Sequence, residues 1–137
     1  MRLLNVRGKL VNRNVQKYLV NWNKKSRSIL QYRVKQFLKP FWRGHIVYEE
    51  FPVYGSLLKV DILNATFKIA VEVQGPQHNK LHYFHGGEPF NFLESIKRDC
   101  TKLRWVERNG FKFVEIMHDE VDLLSVKFFL DKFQVIL

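Results

Sequence analysis

Two carboxylate residues, Asp61 and Glu72, stand in segments that are otherwise mostly apolar, LLKVDILN and IAVEVQ. Because side chains alternate between the two faces of a strand, Asp61 shares a face with Lys59, and Glu72 shares one with Gln74. If the two strands form a hairpin, the carboxylates lie together in apolar surroundings. Ionised groups are costly there unless a cation lies between them, and a hard divalent cation with oxygen ligands is the natural partner. The pair therefore indicates a metal site.

A second interpretation of the same residues needs no metal. Asp61 and Glu72 are also compatible with a solvent-facing side of a sheet, or with ion pairs to Lys59 and Lys68. Taken alone, each carboxylate is an ordinary polar residue of a strand. The two interpretations stay open on the residues themselves.

The elements that would position this pair follow from the spacing of apolar side chains. Between residues 12 and 39 these side chains recur mostly three and four apart, which predicts helix, in two pieces around Asn21 to Ser28. Pro40 and Gly44 are expected to close the helical region. Three short strands of an antiparallel meander are then predicted at 46–53, 57–63 and 67–74, followed by a loop at 75–89.

Helical spacing returns from Pro89 to Asn109, and a fourth strand is predicted at 111–116. His118 or Asp119 is expected to cap a last amphipathic helix. The element order is then α, β, β, β, α, β, α, in a single domain over residues 1–137. The buried stripe of the 89–109 helix is predicted to consist of Leu93, Ile96, Cys100, Leu103 and Val106.

Cys100 is the single cysteine of the chain, and we interpret it as a small buried thiol. One cysteine excludes an intramolecular disulfide framework and fits a reducing compartment. No run of apolar residues approaches the roughly 18 that a membrane span needs, and the start of the chain lacks the long apolar centre of a signal peptide. We therefore expect no membrane partner and an intracellular, cytoplasmic location.

The net charge of +10 is concentrated at the start of the chain. Residues 1–48 contain 12 of the 23 Lys and Arg residues and none of the 13 Asp and Glu residues. Such a segment attracts polyanions and gives salt-sensitive affinity for nucleic acid, although a solvated basic face or a contact with a membrane surface would have the same composition. The predicted DNA-binding residues are Lys17, Lys24, Lys25, Arg27, Arg33 and Lys35.

The carboxylate segments also carry a family resemblance. Val60-Asp61, ten intervening residues and then Glu72-Val73-Gln74 resemble the PD-(D/E)xK nuclease signature, with Val in place of Pro and Gln in place of Lys. The segments IAVEVQGPQH, FHGGEPF and KRDCTKLRWVERNGFKFVEI resemble a branch of that superfamily that includes phage and intron homing endonucleases and is related to the very-short-patch repair nuclease. The resemblance covers roughly residues 46–117.

The resemblance implies a restriction-endonuclease-like αβββαβ core that hydrolyses phosphodiester bonds with Mg²⁺, for which Mn²⁺ can substitute. Asp61 and Glu72 would be metal ligands, together with the backbone carbonyl of Val73. Of Glu49 and Glu50, only one can point inward. We favour Glu50, because Glu49 shares its strand face with residues that look like core.

Gln74 stands where the family has a lysine, and a neutral amide cannot supply its charge. Either Gln74 orients the nucleophile while His78 acts as the base, or a helix cation, Lys102 or Arg98, replaces the lysine. Asp99 lies near the margin of the apolar stripe and Lys102 just beyond it, so that both could face the site, or pair with each other locally. A zinc cluster of His78, His82 and His85 is disfavoured, since no cysteine lies nearby.

The expected function is a homing or nicking DNA endonuclease of a phage or mobile element, acting in a bacterial or phage-infected cell. Residues 1–45 would be a basic helical DNA-binding extension, 46–117 the catalytic core and 118–137 a C-terminal helix. A Holliday-junction resolvase of the same fold and a non-catalytic nucleic-acid-binding module are the alternatives. A homodimer could form through Phe128 and Phe129, although that apolar face is equally compatible with core.

Overall fold

The computed structural model describes residues 1–76 and 89–137, and within residues 89–95 it describes the side chains of Leu93 and Glu94. Short 3-10 turns lie at Gln16–Tyr18 and His118–Leu123. The strands and helices, in chain order, are β1 (Arg2–Leu4), β2 (Leu10–Asn12), α1 (Ile29–Trp42), β3 (Val47–Pro52), β4 (Lys59–Asn64), β5 (Ile69–Gln74), α2 (Pro89–Arg108), β6 (Lys112–Met117) and α3 (Val126–Phe133).

Four of the strands form a mixed sheet in the order β3-β4-β5-β6. β3, β4 and β5 are an antiparallel meander, and β6 pairs in parallel with β5. A parallel pair needs a crossover connection, and α2 lies in the chain between these two strands. The α/β class and the meander predicted from the sequence are confirmed.

Helices cover both faces of this sheet. The core between the sheet and the helices α1 and α3 contains Val34, Leu38, Ile62, Val71 and Phe129. The core between the sheet and α2 contains Leu63, Ala70, Trp105 and Val106. Neighbouring residues of β4 and β5 therefore point into opposite cores, as alternation along a strand requires.

The first of the two predicted helical pieces, between residue 12 and Asn21, is not a helix. This region contains one 3-10 turn and follows a two-stranded hairpin of β1 and β2. Three asparagines, Asn5, Asn14 and Asn21, each accept a hydrogen bond from the backbone N–H two residues further on. Such side-chain contacts stabilise turns in competition with helix, and the apolar spacing alone did not reveal them.

Helix α1 begins after Ser28, whose hydroxyl accepts a hydrogen bond from the N–H of Gln31. Pro40, expected to end the helix, lies inside it, and α1 continues to Trp42. Proline removes one helical hydrogen bond, but the fully buried Trp42 anchors the last turn in the core. The chain leaves the helix at Arg43, whose N–H bonds to the carbonyl of Lys39.

The buried stripe predicted for α2 is wrong in its first half. Leu93, Ile96 and Cys100 are exposed, and Leu103 is half-buried. Only the C-terminal part of the helix, through Trp105 and Val106, is buried among the described residues. Cys100 is thus an exposed thiol, because it lies on a part of α2 that does not face the core.

The last helix begins later than predicted. Residues His118–Leu123 form a 3-10 segment, and α3 starts at Val126 with Ser125 as its cap, where the hydroxyl accepts from the N–H of Phe128. Phe129 is fully buried against Phe37 of α1. The aromatic face suggested as a dimer contact is therefore core of the same chain. None of the helices in the described ranges has the length and apolarity to cross a bilayer.

Candidate functional site

The two carboxylates meet where β4 and β5 stop pairing. The ladder of this hairpin ends at Ile62 and Val71, and the next residues along it are Asp61 and Glu72. There the side chains replace the backbone ladder: the N–H of Asp61 donates to Glu72 Oε1 at 3.1 Å, and the N–H of Val73 donates to Asp61 Oδ2 at 2.8 Å. Each strand thus holds the carboxylate of the other, and the two acids lie side by side.

Burial determines the electrostatics of this pair. Asp61 is 8% exposed and Glu72 is 3% exposed. Burial raises the pKa of Asp61 to about 6, against the lowering effect of the Val73 N–H, and raises the pKa of Glu72 to about 8, with the neighbouring Asp61 raising it further. Two carboxylates that resist ionisation in this way favour a cation between them.

Lys102 of α2 supplies one positive charge at this point. Its Nζ lies 3.2 Å from Glu72 Oε2, and the contact lowers the pKa of Glu72 and of Asp61 against the effect of burial. The lysine side chain is mostly buried. The sequence was also compatible with a local ion pair between Lys102 and Asp99. Among the described side chains, the ion pair of Lys102 is with Glu72.

Glu50 and Glu49 of β3 point in different directions but share one hydrogen-bond donor. Glu50 has a left-handed backbone, φ 53°, and, like Asp61, falls between the register pairs Glu49–Ile62 and Phe51–Val60. Gln31 Nε2 donates to both acids, to Glu50 Oε1 at 3.1 Å and to Glu49 Oε2 at 2.9 Å. Glu50 lines the same pocket as Asp61, while Glu49 turns toward α1. Positive φ is uncommon for a residue with a side chain, and Gln31 holds the carboxylate in place.

The prediction of Lys35 as a DNA contact is wrong. Lys35 is fully buried, and its Nζ lies 3.0 Å from Glu49 Oε1. The same ammonium donates to the carbonyls of Asn21 and Lys24. These three acceptors enclose the charge, so that it cannot reach a phosphate, and Lys35 instead fixes the segment before α1 to the sheet.

An open pocket of about 670 Å³ surrounds the carboxylates. Glu50, Asp61 and Glu72 are in its wall together with Gln74 and Val73. Gln74 is buried, and its Nε2 lies 3.4 Å from Glu115 Oε2 of β6. The remaining charged residues of the wall are Arg27, Lys59, Arg98, Asp99 and Lys102. Acidic groups thus lie among several cations that an anionic substrate could contact.

The other predicted residues lie elsewhere. Lys17, Lys24 and Lys25 are exposed outside the pocket wall, and Arg33 forms an ion pair with Asp122 on the surface. His78, like His82 and His85, lies outside the described residues. Within residues 1–76 and 89–137 no group of three or more His, Cys, Asp or Glu side chains has the arrangement of a metal site.

Two residues of the pocket wall, Gln31 and Arg27, are not indicated as site residues by the sequence pattern. The one available signal for Gln31 is the Ser28-x-x-Gln31 pattern, which is typical of a capping box and marks the start of α1. Arg27 was expected on DNA but not beside the carboxylates. Its place depends on the irregular segment before α1, which periodicity does not describe.

The raised pKa values predict how stability depends on pH in the presence of a chelator. The folded state retains protons that the unfolded state has lost, from the ordinary pKa values near 4 up to about 6 for Asp61 and about 8 for Glu72. Raising the pH from 5 to 8 should therefore lower the free energy of unfolding, by up to about 5 kcal/mol. Glu72→Gln should be less sensitive to pH and more stable than wild type at pH 8.

Chemical denaturation at pH 5, 6.5 and 8 measures this dependence. Glu107→Gln, an exposed acid on α2, is the matched control and should follow wild type. Equal slopes for wild type and Glu72→Gln between pH 5 and 8 would contradict the proposed desolvation of the pair.

Comparisons with known proteins add one distant relative. No family model matches this chain, and no solved structure matches it. An uncharacterized protein, 094L, of Frog virus 3 (isolate Goorha) is 30% identical over 73 residues. The match covers 53% of this chain and 47% of the viral protein, so that the chain spans about half the length of this relative.

Proposed function

We propose that this chain is a metal-dependent DNA endonuclease with a restriction-endonuclease-like core. The observation that carries the proposal is the side-by-side pair of buried carboxylates, Asp61 and Glu72, with Lys102 in contact with Glu72. Their sequence spacing resembles the PD-(D/E)xK signature. The element order α1, β3, β4, β5, α2, β6 and the parallel pairing of β5 with β6 agree with the αβββαβ core that the resemblance implies.

A divalent cation fits the chemistry of these residues. Asp61 and Glu72 offer carboxylate oxygens side by side, and Glu50 and Val73 of the same pocket wall are the further ligands that we propose. Oxygen donors of this kind are what Mg²⁺ and Mn²⁺ take. When bound, such an ion neutralises the scissile phosphate and lowers the pKa of water. The raised pKa values of the two buried acids support this assignment, because an ion would restore their charged form.

Lys102 is the proposed replacement for the lysine that the signature has at Gln74. The ammonium comes from α2 instead of β5, and it lies 3.2 Å from Glu72 Oε2. It would stabilise negative charge that develops near Glu72. The Gln74 amide remains as a group that orients water. The alternative base, His78, lies outside the described residues and stays a proposal on the sequence alone.

The cations of the pocket wall suit a phosphodiester substrate. Arg27 from the segment before α1, Lys59 from β4 and Arg98 from α2 line the same pocket as the carboxylates. The guanidinium group of an arginine can donate two parallel hydrogen bonds to one phosphate. These cations would therefore hold the strand to be cut over the acids. The basic residues Lys24 and Lys25, exposed beside Arg27 along the chain, would extend this contact.

The buried acids also weigh against a module that only binds nucleic acid. Two desolvated carboxylates lower stability at neutral pH and repel phosphate unless a cation is bound. A surface for binding alone gains nothing from them. Retention of both acids therefore supports catalysis over the binding alternative.

Incubation with supercoiled plasmid, linear duplex and a four-way junction, each with Mg²⁺, Mn²⁺ or a chelator, tests the proposal. We expect cleavage of at least one DNA with either metal and none with the chelator. Preferential cutting of the junction would identify a resolvase within the same class. Absence of cleavage of all three substrates in both metals, at protein concentrations that saturate DNA binding, would refute the endonuclease proposal.

A further inference from the structure

A second cavity, of about 180 Å³, lies between the β1–β2 turn and the C-terminal half of α2. It shares no wall residue with the carboxylate pocket. Its wall consists of Asn5, Val6, Thr101, Arg104, Trp105 and Arg108. The cavity thus lies between the N-terminal hairpin and α2, the helix that also carries Lys102.

Hydrogen bonds fix both sides of this cavity. Trp105 Nε1 donates to the carbonyl of Leu4 at 2.6 Å, and Asn109 exchanges hydrogen bonds with the backbone of Leu4. On the other side, the N–H of Val6 donates to the carbonyl of Tyr54 at 2.9 Å. The β1–β2 turn is therefore held against α2 and against the β3–β4 connection, and the cavity is a fixed feature of the fold.

The chemistry of the wall is that of an anion site. Arg104 and Arg108 are exposed and one helical turn apart, and neither forms an ion pair with another described residue. The Oδ1 of Asn5 already accepts two backbone N–H groups, so that its amide has only N–H groups left to offer a ligand. Two guanidinium groups with further donors suit phosphate oxygens.

Further cations of α2 lie on the side of the helix that faces this cavity. Helical periodicity places Lys97, Arg104 and Arg108 within about 40° of one another around the axis. Arg108 lies about 9 Å further along the helix axis than Lys102, beside Glu72, and is rotated from it by about 120°. The second cavity and the carboxylate pocket therefore lie on different sides of α2.

We infer that the second cavity is a phosphate subsite, where Arg104 and Arg108 bind the backbone of the nucleic acid away from the position of cleavage. This inference rests on the proposed endonuclease function for its ligand. The phosphate contacts of the chain then include α2, whereas the charge distribution of the sequence predicts them in residues 1–48.

The dependence of DNA affinity on salt tests the subsite. Affinity for a short duplex is measured in a buffer with a chelator, where no cleavage is expected. Arg104→Ala/Arg108→Ala should reduce the slope of log affinity against log salt by about 0.9 for each phosphate that the variant no longer binds. Arg43→Ala/Lys127→Ala removes the same charge from exposed residues of the α1 and α3 layer and should leave the slope near wild type. Equal slopes for wild type and the Arg104/Arg108 variant would overturn the inference.

A titration with inorganic tripolyphosphate, followed by NMR, separates the subsite from the nuclease proposal. We expect shifts at the Trp105 indole and the Thr101 amide in wild type and their absence in Arg104→Ala/Arg108→Ala. Shifts in a protein that cuts no DNA would support an anion site and remove the nuclease proposal. Absence of shifts in a protein that cuts DNA would overturn the subsite and leave the nuclease proposal intact.

Discussion

Asp61→Asn and Glu72→Gln are each expected to lower DNA cleavage by on the order of 10³-fold or more while DNA affinity stays within a few-fold of wild type. Each substitution keeps the size of the side chain and removes one negative charge from the pair. Metal ions contribute several kcal/mol to such reactions, and each 1.36 kcal/mol corresponds to a factor of ten in rate. The defect should persist at high concentrations of Mn²⁺ if the ligand itself is missing.

Single-turnover cleavage rates, with affinity measured in a chelator, distinguish a defect in chemistry from a defect in binding. Glu107→Gln is again the matched control, since Glu107 lies on α2 but is exposed. Thermal denaturation should show that both site variants are folded, and Glu72→Gln should be at least as stable as wild type near pH 8. A variant of either acid that cleaves at the wild-type rate would show that the metal site is wrong.

Lys102→Ala is expected to lower the cleavage rate by on the order of 10²–10³-fold, the range for removal of one group that stabilises charge in a transition state. Because Lys102 contacts Glu72 at 3.2 Å, its removal should also raise the pKa of that acid further. The metal concentration needed for half-maximal rate should then change as well. Affinity for DNA should change little, since Lys102 is mostly buried and paired.

Three companion variants make this prediction specific. Arg98→Ala, on the same helix and in the same pocket wall, should affect binding more than the rate. Gln74→Lys, introduced into Lys102→Ala, should recover part of the cleavage rate, because it restores a cation on β5. If His78→Ala is instead the more damaging change and Lys102→Ala cleaves normally, the base proposed from the sequence is preferred over the helix cation.

The regular elements were predictable because their signals are local. Alternation of apolar residues specified β3, β4 and β5, and the three-and-four spacing specified α1 and α2 within a few residues. The segment from residue 12 to Asn21 has the same apolar spacing but is not helical, because the side chains of Asn14 and Asn21 hold turns there. Spacing alone does not reveal that competition between side chain and backbone.

The candidate site was predictable only in part. Asp61 and Glu72 were found because acids in apolar strands are rare and their spacing matched a signature. Whether Lys102 faced the sheet depended on the rotation of α2, and the predicted stripe of that helix was wrong at Ile96 and Cys100. Lys35 had the composition of a DNA contact, and its burial beside Glu49 follows from tertiary packing that charge counts do not contain.

The positions of the two acids and of Lys102 along the chain have a consequence for the order of folding. Asp61 and Glu72 belong to one hairpin, which can close early because little chain separates its strands. Lys102 lies within α2, between β5 and β6, and parallel pairing of these strands requires closure of a much longer loop. In an isolated hairpin both carboxylates would be hydrated, and their ionisation would cost little free energy. Docking of α2 would dehydrate them and supply the ammonium in the same step, so that this late event decides both the stability of the chain and the assembly of its site.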